Sequence, residues 1–344
     1  MDSSVNALDY LRSKTQVDLD DLDVEVAKRG AMGRPFTDAT SNQVFPHAFP
    51  LLVLFQVQSP ANAELVQRTL SITNKLHPIH PSLTFEELAV EVAAVHLATR
   101  VLPYISGRVH VMANPCYSFD TPRIIEAGKR YHSLFRFFDT QCNLNRVVMK
   151  VPATWEGLQA CKTLTTEGIQ TLATTVFSME QCILAGEAGC LSVSPFIHDL
   201  KKLVCPSYKD ENPVIELCVQ AQMYYKSHNI PTRVKACSSG SLDEILQLAG
   251  VDSHTLESIE IDALAKEWRD RNLLHSVNLF EAPNMTHHGT AEYPSYANNE
   301  ARFRVDLSAS KGGMSQLKLY RAIDIFCDYQ KKVEEFLGSI NGSS

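Results

Sequence analysis

The chain has 344 residues, of which 44% are hydrophobic and 21% charged, with a formal net charge of −7. Those values suit a well-buried globular chain of ordinary α/β length, and the acidic balance with no Lys/Arg-rich run argues against a nucleic-acid partner. No apolar stretch reaches a membrane span, the polar start Met1–Tyr10 is not a secretory signal, and nine scattered cysteines without a C-x-x-C pair point to reduced thiols in a cytoplasmic protein, with no disulfide framework or structural zinc.

In chain order, Gln16–Asp20 and Phe36–Ala39 read as strands. Thr84-Phe85-Glu86-Glu87 is a capping box, followed by Phe85, Leu88, Ala89 and Val92 at helical spacing. Val109–Ala113 is a strand, and Thr121-Pro122 opens a helix with Thr as N-cap. Arg146–Val151 is the next strand, with Thr154 capping the helix after it. Thr171–Phe177 is a strand whose following helix ends near Gly189, and Leu191–Pro195 is another. A long helix over Val214–His228 leads to the strand Arg233–Cys237. Ser241-Leu242-Asp243-Glu244 is a second capping box, and Gly250 closes its helix. The eighth strand is placed within Asp252–Ile259. Glu281–Asp306 reads as a long polar loop over one face, and Ser315–Leu337 as a final amphipathic helix. Such alternation means a mostly parallel sheet, which an open doubly wound sheet and a closed barrel both satisfy. No G-x-G-x-x-G follows the first strand, which removes support from the nucleotide-binding version. No internal boundary divides residues 1–344, so one domain is expected.

Lys150 lies in the apolar run Val147-Val148-Met149-Lys150-Val151-Pro152. Desolvating an ammonium there lowers its pKa and frees the amine as a nucleophile. Lys235, in Arg233-Val234-Lys235-Ala236-Cys237, has similar surroundings and reads as a solvated lysine on the outer side of its strand.

The segment Arg146–Gly157 resembles the transaldolase signature around the Schiff-base lysine, and Asp38-Ala39-Thr40-Ser41-Asn42 resembles that family's D-A-T-T-N strand. Glu167-Gly168-Ile169, Phe177-Ser178, Glu187-Ala188-Gly189, Ser194-Pro195-Phe196, Asp243-Glu244-Ile245 and Leu248-Ala249-Gly250 follow in family order. The resemblance runs from about Leu11 to the last helix. It implies a (β/α)8 TIM barrel with a C-terminal helix packed on it, a homodimer, and Lys150 as the imine-forming residue. It further implies Asp20, or Asp18 in another register, as the acid/base at the carbon–carbon bond. Asn42 would hold a substrate hydroxyl and Thr174 the catalytic water. Ser194, Phe196 and Ser238 would touch substrate.

Three departures accompany these matches. The family's catalytic glutamate corresponds to Met112, which cannot accept a proton, and such general acid–base help is worth roughly 10²–10⁴ in rate. The two phosphate-binding arginines correspond to Asp199 and Gly240. Two lost clamps, at about 1.5–3 kcal/mol each, weaken phosphate recognition by roughly 3–6 kcal/mol, on the order of 10²–10⁴ in affinity. Met112, Leu172 and Phe196 make the pocket more apolar than a sugar site. His198 and Asp199 stand where the phosphate grip was, and are candidates for a new acid/base pair or for ordinary loop residues.

The expectation is therefore a Schiff-base enzyme acting at a carbon–carbon bond beside a carbonyl, on an unphosphorylated, relatively apolar small molecule of specialised metabolism. The alternatives are an ordinary transaldolase that passes dihydroxyacetone between sugar phosphates, and a non-catalytic barrel that serves as a binding partner. No cofactor or metal is expected. Met285-Thr286-His287-His288 reads as a solvated loop.

Overall fold

The computed structural model describes residues 4–40, 53–205, 207–281 and 292–342. The expected Asn42 and His287-His288 lie outside the described residues. Among the described residues there are ten strands: β1 (Ser4–Asn6), β2 (Gln16–Leu19), β3 (Ala39–Thr40), β4 (Val109–Met112), β5 (Val147–Pro152), β6 (Gln170–Val176), β7 (Ser192–Pro195), β8 (Arg233–Ala236), β9 (Ser253–Leu256) and β10 (Trp268–Asp270). Strands β2 to β9 close in sequence order into an eight-stranded barrel, each pair parallel. With helices between them, they form the (β/α)8 barrel. Strands β1 and β10 make a separate antiparallel ribbon.

Parallel strands in a barrel are covered on both faces, inside by the filled interior and outside by helices. The sequence of β5 follows from this. Val147, Val148, Met149 and Val151 are all buried, and Lys150 lies among them with 5% of its surface exposed. The register pairs Met112 with Lys150 and Lys150 with Leu172, so these three residues share one layer.

Just past β5 the chain turns sharply. The Thr154 hydroxyl accepts from the Gly157 N–H at 2.9 Å and donates to the Ser118 carbonyl. A Cβ on Gly157 would lie 2.1 Å from the Pro152 carbonyl oxygen, so only glycine lets the helix Trp155–Thr166 begin this close to the Lys150 strand. Strand β6 shifts register between Ala173 and Val176, and Thr175 there has φ +56°. A β-branched residue in the left-handed region is strained.

The helix Phe85–Val101 is buried from Leu88 to Ala98. It packs between the helices Ala63–Leu76 and Thr121–Phe138 and beneath the C-terminal helix Met314–Asn341. Within this layer Arg130 donates twice to buried Glu91, at 2.6 and 2.7 Å. The C-terminal helix also contacts the turn Pro115–Tyr117 after β4, so it lies across the end of the barrel where Lys150 opens. No helix among the described residues is long and apolar enough to cross a membrane.

Several local expectations change. Asp120, not Thr121, caps its helix and accepts from the Arg123 N–H. Thr84–Glu87 is a reciprocal capping box. In the second expected box, Ser241 caps alone, because Glu244 turns to Gly240 and His198. The second strand begins at Ala39 rather than Phe36. The helix Glu300–Ala309 begins inside the expected loop over Glu281–Asp306 and runs past its end.

Candidate active site

Inward-facing residues of a barrel strand alternate with those facing the helices. At the C-terminal end of this barrel they enclose a pocket of about 520 Å³, open mouth included. Lys150 reaches it from β5, Asp20 from the end of β2, Ser194 and Phe196 from β7 and its exit, and Cys237 and Ser238 from the exit of β8. Apolar wall comes from Leu172, Leu200, Leu203 and Phe326 of the C-terminal helix. Phe196 packs edge-on against Phe326 and Phe177, with ring centroids 6.3 and 6.0 Å apart.

Lys150 and Asp20 act on each other electrostatically across the pocket. Burial pulls the Lys150 ammonium below the usual lysine range; Asp20 opposes this, and Lys235 adds to it. Burial pushes the Asp20 carboxyl up to about 6, against the pull of Lys150. The result is an amine easier to deprotonate than in water and a carboxyl that titrates just below neutrality. Such a pair can form an imine and move a proton beside it. Cys237 is a neutral neighbour: burial raises its thiol to about 12, and its Sγ lies 3.2 Å from Ser194 Oγ.

Of the other expected site residues, Met112 is buried beside Lys150 in register but does not border the pocket. Thr174 is fully buried on β6, and its hydroxyl has no hydrogen-bond partner among the described residues. His198 does not border the pocket; its Nε2 lies 2.9 Å from Glu244 Oε2. Asp199 is fully buried and turned aside, capping Lys201 N–H at 2.8 Å and accepting from Tyr208 and Arg321.

Lys235 departs most from expectation. It is not a solvated outer lysine. It is 4% exposed and points inward, 2.5 Å from Asp18 and 2.7 Å from Asp38, and Asp38 also lies 3.1 Å from His110 Nε2. All four groups border the pocket at its floor. Burial weakens the Lys235 cation, but Asp18 and Asp38 more than restore it and hold it above the usual range. Burial likewise works against an ionised Asp38, yet His110 and Lys235 keep its carboxyl well below the ordinary value. The sequence signal for these four is parity. The outer faces of barrel strands lie under helices, so a charged side chain on such a strand has water only through the interior. The alternation Val234–Lys235–Ala236 then assigns the lysine to the inside.

Among the described residues no group of three or more His, Cys, Asp or Glu side chains is arranged to hold a metal ion. Residues 17–336 match the family model for transaldolase/fructose-6-phosphate aldolase. The chain belongs to this family. It is similar to the transaldolase of Shewanella amazonensis, 29% identical over 338 residues that make up 96% of this chain and 98% of that protein. It is also similar to the transaldolase of Prochlorococcus marinus, 31% identical over 256 residues and 72% of each chain, and to that of Aeromonas salmonicida, 28% identical over 338 residues. As a member of the transaldolase family the protein is an aldolase-type transferase.

Proposed function

We propose that the protein uses Lys150 as a Schiff-base nucleophile on an unphosphorylated, largely apolar carbonyl compound of specialised metabolism. The Lys150 amine adds to the carbonyl carbon, and loss of water leaves an iminium. Ionised Asp20 then takes the proton of the hydroxyl on the β carbon, two carbons from the iminium carbon. The carbon–carbon bond breaks, and its electrons pass into the iminium to give an enamine. The same steps in reverse join the enamine to an acceptor aldehyde.

The observation that carries the substrate class is the pairing of the cations on the segments that bring Leu200, Leu203 and Phe326 to the pocket. Arg321 approaches from the C-terminal helix but is held by Asp199 at 2.9 Å, and Lys318 is held by Asp210 at 2.7 Å. Lys202 faces Glu244, Glu260 and Glu257. Burial raises Glu257 to about 9 and Glu260 to about 7, and each also feels Asp20. A phosphate dianion arriving here would meet cations already engaged by Asp199, Asp210 and Glu244, and a Glu257 carboxyl that is neutral near pH 7 and offers no positive charge. An apolar group would meet Phe196, Leu200, Leu203 and Phe326.

The relatives' name favours a second reading, transfer of dihydroxyacetone between sugar phosphates. Turnover assays separate the two. The proposal expects cleavage or transfer with unphosphorylated β-hydroxyketones, lost in Lys150→Ala, and little turnover of fructose 6-phosphate with erythrose 4-phosphate. Efficient sugar-phosphate turnover would establish the second reading instead.

A further inference from the structure

The ionic cluster at the pocket floor is unusual for a barrel, whose interior is normally filled by branched aliphatic side chains. A buried ion-pair layer holds no general advantage in stability over well-packed apolar residues. Its position relative to the one gap in the family's chemistry gives it another meaning. His110 and Met112 lie two residues apart on β4, so both face the interior, His110 one layer deeper. His110 pairs in register with Val148, as Met112 does with Lys150. The strand that lacks an acid/base at position 112 thus carries an imidazole directly below it, bordering the same pocket as Lys150.

We propose that His110, held by Asp38 with Lys235 and Asp18 behind it, is the proton-transfer residue for imine formation at Lys150; this rests on the Schiff-base reading above. Attack by the amine forms the N–C bond and opens the C=O bond to an alkoxide. One proton must leave the nitrogen and one must reach the oxygen to give the carbinolamine. A second proton, from solvent, then lets the C–O bond break so that water departs, and the nitrogen lone pair closes the iminium. His110 lies one layer, about 6–7 Å along the strand, below the level of Lys150, and would exchange these protons with it through solvent admitted to the pocket.

Three charged groups face the imidazole: Asp38 just before β3, Asp18 on β2 and Lys235 on β8. Burial holds His110 below the usual histidine range against the pull of Asp38. It is therefore neutral near pH 7 and able to accept a proton. The hydrogen bond to Asp38 fixes the ring, and Lys235 fixes Asp38.

The test uses acetylacetone, whose imine with a lysine rearranges to an ultraviolet-absorbing enaminone, followed by stopped-flow with the full-length protein. His110→Gln should slow enaminone formation about 10²-fold or more and reduce its pH profile to the limb set by deprotonation of Lys150. Added imidazole should restore part of the rate in His110→Ala. In His110→Gln/Met112→Glu a carboxylate returned to position 112 should also restore it. Wild-type rate and pH profile in a folded His110→Gln would overturn the proposal. If the His110 variants do not fold, Met112→Glu alone decides. Little acceleration fits a proton-transfer group already in place, and tenfold or greater acceleration shows there was none. Absence of enaminone in the wild type itself would refute the Schiff-base reading, an outcome distinct from failure at His110.

Discussion

At Lys150, a single ammonium sits where solvation is poor and the nearest carboxylate is itself reluctant to ionise. Because Asp20 titrates near 6 and is the base in the proposed cleavage, that step should require its ionised form. We expect kcat/KM on a β-hydroxyketone to rise with pH through about 6 and then level. The Asp20→Asn variant should lose that limb together with most of its activity, and a pH–rate series on both proteins checks it. Gly157 is the other residue on which the site depends. With a Cβ only 2.1 Å from the Pro152 carbonyl oxygen, Gly157→Ala must push the helix start away from β5. The overpacking should destabilise the protein by about 1–3 kcal/mol, measurable by urea unfolding, and should slow adduct formation at Lys150 as well.

Among the elements, the strands carrying the site are the most legible in the sequence. Runs such as Val147–Val151 are apolar on both faces and bounded by turn residues, and observed ends fall within one or two residues of expectation. Strand β3 is harder, because only Ala39 and Thr40 pair. The helix Glu300–Ala309 buries just Phe303 and Leu307, so it shows no apolar stripe in the sequence. The three-residue ribbon strands β1 and β10 are polar and gain their pairing only from the closed fold. Lys150 is legible through its apolar strand and through the family motif. The floor cluster is not legible residue by residue, because Asp18, Asp38, His110 and Lys235 come from four strands. Only the barrel's closure brings them within 3.1 Å of a partner. Between helices, the bidentate Arg130–Glu91 pair is similarly hidden in the sequence and similarly buried. Arg130→Met leaves Glu91 uncompensated and should cost about 3–5 kcal/mol at pH 8. The loss should be smaller at pH 5, where Glu91, already raised by burial, can take up a proton. Denaturant midpoints at the two pH values test both parts.

Across the whole molecule, the C-terminal helix and the barrel mouth act together. The helix brings Phe326 to the pocket wall and delivers Arg321 and Lys318, but into carboxylates that neutralise them. Near Asp20 and Lys202, Glu257 is raised by burial to about 9. A group whose folded pKa lies above its unfolded value supports the fold at low pH and withdraws that support as pH rises. For Glu257 the window runs from the ordinary carboxyl range up to about 9. Glu257→Gln keeps an acceptor for the helix cap and cannot ionise. It should match the wild type at pH 4 and be the more stable protein at pH 9, as read from thermal unfolding at each pH.

The central claim is an imine-forming lysine in a pocket that favours apolar carbonyls over sugar phosphates. Borohydride trapping tests it most directly, with the protein incubated separately with fructose 6-phosphate and with unphosphorylated ketones of increasing apolar character, and the reduced adduct located by mass spectrometry. We predict an adduct on Lys150 that strengthens with apolar character and is weak or absent with the sugar phosphate. A strong Lys150 adduct with fructose 6-phosphate, or an adduct on any other lysine, would contradict the claim.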